Sequence, residues 1–308
     1  MSGGIGHTSW IAVDWGTSNL RVWGMSGDGT VLAEHRSDKG MARLTRETFE
    51  PALLDLIGDA LPEGGQKVPV MICGMAGARQ GWAEAPYLEA PCSPPGPENA
   101  TRVATRDPRI AVYILPGIKQ LHPADVMRGE ETQIAGFLSG QPDFDGVLCL
   151  PGTHTKWVRI SAGEVVSFQT CMTGELFDLV ATQSVVAQVL QGAGWDDTAF
   201  REAVDDALSK PQMLAARLFN LRARGLLEGQ DPATGRARLS GYLIGSELSA
   251  TRPYWLGANV AVLGAESLSR HYCAALSAQG VTALAFSGED LVLTGLRAAM
   301  EKMSKEFT

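Results

Sequence analysis

The sequence predicts a two-lobed α/β fold with mixed sheets, and two observations carry that reading. Short apolar runs with strand character alternate with helical segments along the chain. The opening pattern of strand, turn, strand, turn, strand also occurs twice, with Gly152-Thr153 standing 136 residues after Gly16-Thr17. At that offset Val158 falls on Val22 and Gly163 on Gly27, as an imperfect internal duplication would produce.

Taken in order, Ser9–Asp14 reads as a buried strand running into a Gly16-Thr17-Ser18-Asn19 turn. Leu20–Met25, the Gly27-Asp28-Gly29 hairpin turn and Val31–His35 complete the first unit. A helix over Thr48–Leu61 and a strand over Val68–Cys73 follow. Four of the sixteen prolines crowd into Ala90–Pro97, which must then be an irregular loop. After the strand Ile110–Leu115, a helix runs from about Arg128 to Leu138. The pattern then restarts with Val147–Leu150, the turn Pro151–His154, Lys156–Ile160, the Ala162-Gly163 turn and Val165–Cys171. Beyond Gly174 the spacing predicts helices over 175–190, 198–208, 211–226 and 241–249. Strand Asn259–Leu263, helix Ala265–Leu276, strand Thr282–Phe286 and helix Asp290–Met303 close the chain.

With 308 residues, 45% hydrophobic and 19% charged, the chain is long enough for two cores. Its 34 acidic residues outnumber 26 basic ones for a net charge of −8, and the isoelectric point is about 5.2. Such a surface repels nucleic acid and anionic membranes, so neither is an expected partner. No run of about 18 apolar residues is present to span a membrane, and Met1–His7 lacks the charged and apolar regions of a secretion signal. The five cysteines are widely spaced with no C-x-x-C pair, so no disulfide framework or zinc site is implied and a cytoplasmic location is expected. Of the five histidines, His7, His35, His122 and His271 show no metal spacing and are expected to be solvated or packed.

Any phosphate site must therefore be built locally. The P-loop, the zinc-protease helix and the nucleophile elbow are all missing, and Gly3-Gly4-Ile5-Gly6 reads as a frayed end. The strongest signal is Asp14-Trp15-Gly16-Thr17-Ser18-Asn19-Leu20-Arg21. An unpaired carboxylate ending a buried strand is expensive. Beside a Gly-Thr turn it can hold a hydrated Mg²⁺, while the N–H groups of the turn cradle phosphate oxygens. A hairpin whose Asp simply caps its own turn fits the same residues. Gly152-Thr153-His154-Thr155-Lys156 is a second such turn with a cation added, or a plain hairpin with an exposed lysine. Two phosphate turns from two lobes are far less ambiguous than one.

These residues carry a resemblance. Asp14–Arg21 resembles the first phosphate motif of the actin, hexokinase and heat-shock-ATPase superfamily, and Gly152-Thr153 the second. Ala258–Ala265 is similar to its adenosine motif, which ends at Gly264 and Ala265. Four segments, Gly74–Trp82, Met127–Gln133, Leu150–Trp157 and Met172–Leu176, resemble the 2-dehydro-3-deoxygalactonokinases specifically. The likeness runs from about residue 10 to residue 300. It departs at Ala78, where a serine is expected before the arginine, and at Gln183, where a histidine is expected before Ser184.

The resemblance implies an actin-like ATPase fold with a duplicated ribonuclease-H-like core and ATP in the interdomain cleft. The first lobe would span residues 1–127, with the first phosphate motif and the sugar-acid contacts. The second, 128–308, would carry the catalytic helix, the second phosphate motif and the adenosine motif, its last helix packing back on the first lobe. The implied reaction moves the γ-phosphoryl group of ATP to the C6 hydroxyl of 2-dehydro-3-deoxy-D-galactonate, in D-galactonate catabolism, with ATP and Mg²⁺ as cofactors. Gly16, Thr17, Ser18, Asn19, Arg21, Gly152, Thr153, His154, Lys156, Gly264 and Ala265 would bind nucleotide, and Asp14 would hold Mg²⁺ through water. Glu130 is the implied general base, with Glu131 in reserve, although acids in a first helical turn are also ordinary dipole partners. Arg79 and Gln80 would grip the acceptor carboxylate, with Trp82, Tyr87, Thr173, Gly174 and Glu175 nearby. A surface arginine, a packing tyrosine and a helix cap are the plainer readings of Arg79, Tyr87 and Thr173–Glu175. A kinase of another small sugar or aldonate, such as 2-dehydro-3-deoxygluconate, is the neighbouring alternative. An actin-like ATPase, a nucleotide-gated binding protein and a phosphoanhydride hydrolase belong to other classes. A homodimer is an arrangement this class adopts.

Overall fold

The computed structural model of the chain describes residues 8–64 and 67–306, so the readings placed on Met1–His7 lie outside the described residues. The elements are β1 (Trp10–Trp15), β2 (Leu20–Met25), β3 (Val31–Ser37), α1 (Phe49–Ile57), β4 (Val68–Gly74), β5 (Leu88–Glu89), β6 (Thr101–Val103), β7 (Ile110–Ile114), β8 (Ile118–Gln120), β9 (Asp125–Met127) and α2 (Glu130–Gly140). The second half holds β10 (Gly146–Leu150), β11 (Thr155–Ser161), β12 (Glu164–Cys171), α3 (Thr173–Gln183), α4 (Asp197–Ser209), α5 (Leu214–Leu227), α6 (Pro232–Ala250), α7 (Arg252–Trp255), β13 (Val260–Gly264), α8 (Glu266–Ala278), β14 (Ala283–Ser287) and α9 (Gly288–Glu306).

The duplication is visible in the sheets. One has strand order β3-β2-β1-β4-β7-β6 and the other β12-β11-β10-β13-β14, with a small third sheet β5-β8-β9. In both large sheets the first strand pairs antiparallel with the second and parallel with the fourth. The turns differ by one residue. The last paired positions are Trp15↔Leu20 in the first hairpin and Leu150↔Lys156 in the second, so no single offset holds through the repeat. This is the doubled ribonuclease-H-like architecture of the actin-like ATPases.

The buried strands are apolar on both sides because both faces of each sheet are covered. Along β1, Ile11, Val13 and Trp15 enter a core with Phe49 and Leu53 of α1, whereas Trp10 and Ala12 enter another with Val292, Leu296 and Met300 of α9. In the second sheet Val147, Cys149 and Val262 pack with Phe200, Ile244, Leu248 and Tyr272 from α4, α6 and α8.

The chain forms two compact units. The first comprises the chain up to Phe144, Ala162–Val166 and the chain from Glu289 onward; the second comprises Asp145–Ser161 and Ser167–Gly288. The boundary expected at 127/128 differs because α2 belongs with the first unit. A Cβ on Gly136 would lie 2.0 Å from the Leu291 carbonyl oxygen, and one on Gly295 would lie 2.1 Å from that of Thr132, so α2 and α9 pack backbone to backbone.

Other differences are local. The helix expected over 175–190 stops at Gln183, where the Ser184 hydroxyl donates to the Val180 carbonyl and accepts from the Val186 N–H. The helix expected over 241–249 is nineteen residues long, since Asp231 caps it through the N–H groups of Ala233 and Thr234 with Pro232 at its first position. Four two- or three-residue strands, β5, β6, β8 and β9, go unpredicted because they are too short to show a period.

Candidate active site

In the first unit, the register Asp14↔Arg21 sets the metal-type carboxylate opposite the arginine of the same motif. The two form an ion pair, and Arg21 reaches Glu289 at 2.9 Å, which in turn pairs with Arg36. Burial opposes the Arg21 charge, but Asp14 and then Glu289 outweigh it and hold the guanidinium above its usual value. The turn beyond is braced from behind. Gly16 N–H donates to the Asn19 carbonyl, Met41 N–H to that of Gly16 and Ala42 N–H to that of Thr17, at 2.9, 3.0 and 2.9 Å. Gly40 lies so close that a Cβ there would sit 2.3 Å from the Ser18 carbonyl carbon. Thr17, Ser18 and Asn19 are left exposed.

The end of β4 and the start of α2 meet beside Asp14. Gly74 has φ +90°, and a Cβ there would sit 2.6 Å from the Trp15 carbonyl oxygen and 3.5 Å from Asp14 Oδ1. Gly129, at φ +105°, would place its own Cβ 3.5 Å from Gly74 Cα. Both backbones need glycine. The Cys73 thiol, 3.9 Å from Asp14 Oδ1, is pushed far up by burial and then by the charges of Asp14 and Glu131.

The acids that open α2 have different surroundings. Glu130 is half-buried and its Oε2 accepts from Arg128 N–H at 3.0 Å; Glu131 is fully buried and accepts from Gly129 N–H at 2.6 Å. Burial, and then the neighbouring Glu130, push Glu131 up to about 8 against those hydrogen bonds and Arg128. A neutral Glu131 removes like-charge repulsion from Glu130.

The loop after β4 is wound tightly, with hydrogen bonds from Ala78 N–H to Met75 O and from Gly81 N–H to Ala78 O. Arg46 clamps it by donating to the carbonyls of Arg79 and Gly81. The side chains of Arg79 and Gln80 stand exposed at its tip. Trp82 does not stand beside them. It is 6% exposed and packs on Trp15 and Phe49, because an indole following the turn fills the core under α1, so the residue expected to contact substrate has most of its side chain in the core. Tyr87 lies under the Arg128 guanidinium, 4.3 Å from ring centroid to Cζ.

In the second unit, the Pro151–His154 turn leads into β11. The exposed lysine of a plain hairpin is not what Lys156 is. It is 5% exposed and its Nζ donates to Thr170 Oγ1 at 2.9 Å, since it is already a paired strand residue opposite Leu150. Thr173–Glu175 brace the turn: Gly174 is flush against it, with a Cβ there falling 2.2 Å from the Gly152 carbonyl oxygen, and Glu175 N–H donates to the Thr153 carbonyl at 2.9 Å. His154 Nε2 and Glu175 Oε2 are 2.5 Å apart. Gly264 is buried, its would-be Cβ 3.1 Å from Pro151 Cγ, whereas Ala265 is exposed.

A cavity of about 510 Å³ opens beside this turn. Gly152, Thr153, Thr173 and Gly174 form one side, and Ser267, Leu268, His271 and Tyr272 of α8 form another. His271 is packed, as one of its two expected states, stacked on Trp195 at 4.0 Å, and the two line the cavity together. Sequence reasoning also missed Glu247, a buried carboxylate behind Thr173 and Tyr272.

A duplicated fold with a glycine turn in each unit, and a carboxylate pair at a helix start, has the parts that phosphoryl transfer from a nucleotide needs. The sequence pattern of the 2-keto-3-deoxy-galactonokinases matches residues 14–299. A 2-dehydro-3-deoxygalactonokinase relative from Rhizobium meliloti (strain 1021) is 40% identical over 300 residues, covering 94% of this chain and 96% of the relative. The 2-dehydro-3-deoxygalactonokinase of Escherichia coli (strain K12) is 33% identical over 293 residues with the same coverage. A crystal structure of a protein described as a 2-dehydro-3-deoxygalactonokinase from Sinorhizobium meliloti superposes with a TM-score of 0.88 at 37% identity, covering 96% of this chain and 99% of the other. The chain belongs to the 2-keto-3-deoxy-galactonokinase family of ATP-dependent carbohydrate kinases. Among the described residues, no helix is long and apolar enough to cross a membrane.

Proposed function

We propose that the chain transfers the γ-phosphoryl group of ATP to the C6 hydroxyl of 2-dehydro-3-deoxy-D-galactonate, releasing the 6-phosphate and ADP, in cytoplasmic D-galactonate breakdown. The observation that carries the reading is the corner of the first unit where Asp14 and the Glu130–Glu131 pair converge around Gly74 and Gly129. A kinase of this type needs a carboxylate for the metal-bound phosphates and another for the acceptor hydroxyl, close together.

Magnesium takes oxygen ligands, keeps several waters and is held by one or two carboxylates plus substrate phosphates. The donor set fits: Asp14 supplies a carboxylate, and Gly74 leaves space in front of its Oδ1. Asp14 would hold the ion through water, and the ion would neutralise charge on the phosphates. Arg21 pairs with the Asp14 carboxylate and orients it. Thr17, Ser18 and Asn19 offer exposed N–H and O–H donors to phosphate oxygens, as do Gly152, Thr153 and His154 in the other unit. The cavity beside Thr173 and His271 takes the adenosine, with Gly264 packed behind the turn and Ala265 at the rim. Thr173, Gly174 and Glu175 then serve the nucleotide side rather than the sugar acid.

Glu130 accepts the proton of the C6 hydroxyl as the phosphoryl group arrives, a role typically worth about 10²–10⁴-fold. Glu131 is fully buried and stays protonated behind it. Arg79 and Gln80 bind the acceptor carboxylate, for which a planar guanidinium is suited, and Tyr87 offers a hydroxyl to the sugar acid.

The test is ADP release with Mg·ATP against aldoses, aldonates and the 2-keto-3-deoxy-aldonates of galactonate and gluconate. Selective turnover of the galactonate derivative, lost by about 10²-fold or more in Glu130→Gln, is the expected result. Turnover of neutral sugars alone would overturn the carboxylate assignment, and phosphate release without any acceptor would overturn the kinase reading.

A further inference from the structure

Glu247 is 4% exposed and lies on α6, remote in sequence from both phosphate turns. Its Oε1 accepts from the Trp157 indole N–H at 2.7 Å, and its Oε2 accepts from the Tyr272 hydroxyl at 2.9 Å and from the Thr173 hydroxyl. Thr155 Oγ1 lies 2.9 Å from the Tyr272 oxygen. These partners are neutral donors, so the carboxylate is held by hydrogen bonds alone, and burial pushes it up to about 7 against them. A buried charge of this kind is weak evidence for stability, since apolar residues of the same volume usually serve as well. Its geometry offers a different use.

Each hydroxyl that Glu247 holds belongs to a wall of the cavity. Thr173 is the first residue of α3, whose next two residues brace the Gly152-Thr153 turn through Gly174 and the Glu175 N–H. Tyr272 stands on α8, beside His271 and one turn after Leu268. One carboxylate therefore fixes the phosphate-side turn and the opposite wall relative to one another. We propose that Glu247 is a positioning residue of the nucleotide site, setting the separation between the Gly152-Thr153 turn and the α8 wall so that both engage one nucleotide. This rests on the reading that the cavity receives ATP.

The test measures binding of ATP and of the sugar acid separately, by calorimetry, to the full chain and its variants. Glu247→Gln keeps the shape of the side chain but puts a donor where two hydroxyls donate. It is expected to weaken ATP at least about tenfold, a step of the size carried by a hydrogen bond to a charged group, while sugar-acid affinity moves less than about twofold. Thr173→Val and Tyr272→Phe each remove one hydroxyl and are expected to weaken ATP by a smaller factor. Each should have little further effect once Glu247→Gln is present. A Glu247→Gln protein that binds ATP as well as the parent overturns the proposal, as does equal loss of both ligands. If that variant does not fold, the two single-hydroxyl variants decide by the same split between ligands. Ser267→Trp, at an exposed position on the cavity lining, separates the two readings. If it leaves ATP affinity intact, the cavity is not the nucleotide site. If it abolishes binding while Glu247→Gln does not change it, the positioning role alone fails.

Discussion

Glu131→Gln isolates the physical claim that matters most at the helix start, namely that Glu131 is the neutral member of the pair. Burial and Glu130 raise the Glu131 carboxyl from 4.5 to about 8. Between those two values the native state keeps a proton that the unfolded chain releases. Stability is therefore highest below about pH 4.5, falls as pH rises through that window, and levels off above about 8. At 1.36 kcal/mol per unit, the penalty is about 3 kcal/mol at pH 7 and about 5 kcal/mol at pH 9. Glutamine mimics the neutral acid, can still accept the Gly129 N–H and cannot ionise. The variant should match the parent near pH 5 and exceed it by amounts of that order at pH 7 and 9. Urea unfolding at the three pH values, followed by tryptophan fluorescence with Trp15 and Trp82 as core reporters in this unit, measures the difference directly. Because the parent is subtracted, Glu247, whose carboxyl burial also raises, cancels. The same preparation should keep at least a tenth of parental turnover, whereas Glu130→Gln loses about 10²-fold. A stability difference that does not change with pH would refute the assignment of the proton to Glu131.

Arg128→Met should raise the KM for the acceptor roughly tenfold and leave that for ATP unchanged, because Arg128 ties the acceptor loop to α2 through the Ala85 carbonyl at 2.8 Å and the Tyr87 ring; steady-state kinetics with each substrate varied reads the split. Gly74→Ala should lower stability by about 1–3 kcal/mol or more, since the residue has φ +90° and the new methyl meets the Trp15 carbonyl at 2.6 Å; thermal unfolding measures it. Trp82→Ala should cost about 3–5 kcal/mol by opening a core cavity, and its lost activity should return on cooling or with stabilising osmolyte, as a substrate contact would not. Glu289→Gln releases Arg21 from α9 at a partly exposed site, so stability should change by no more than about 1 kcal/mol and less in high salt.

What the sequence made legible was whatever is encoded within a few residues. The two hairpins appear because apolar runs flank glycine turns, and the pairing Asp14↔Arg21 follows from the turn length alone. Failures arose where a side chain's role depends on partners far away in the chain. Glu247 meets residues 74, 90 and 25 positions distant, and nothing near it in sequence suggests a buried carboxylate. His271 gains its place in the cavity only by stacking on Trp195. Lys156, expected at the nucleotide, closes the second hairpin opposite Leu150 as Leu20 closes the first opposite Trp15, although the second turn is one residue longer.

That extra residue also bears on how the duplicated halves diverged. In the first hairpin the closing positions around the turn are apolar, Trp15 and Leu20, and the next pair inward is Asp14 and Arg21. The charge sits at the strand end, compensated across the ladder, where it can face a metal-bound phosphate. In the second hairpin the closing pair is Leu150 and Lys156, and the next inward is Cys149 and Trp157, with no carboxylate on the strands. Its anion, Glu247, comes instead from α6 and reaches the strand through the Trp157 indole. A carboxylate at the strand end would repel the polyphosphate that a bare N–H turn attracts; one buried behind donors can orient the turn without facing the ligand. The repeat thus kept its topology and moved its negative charge from the surface of one turn to the support of the other. On this view, placing a carboxylate at the end of the second strand through Leu150→Asp, one position nearer the turn than Asp14 stands in the first, should weaken nucleotide binding, read by calorimetry, even in a protein that folds normally.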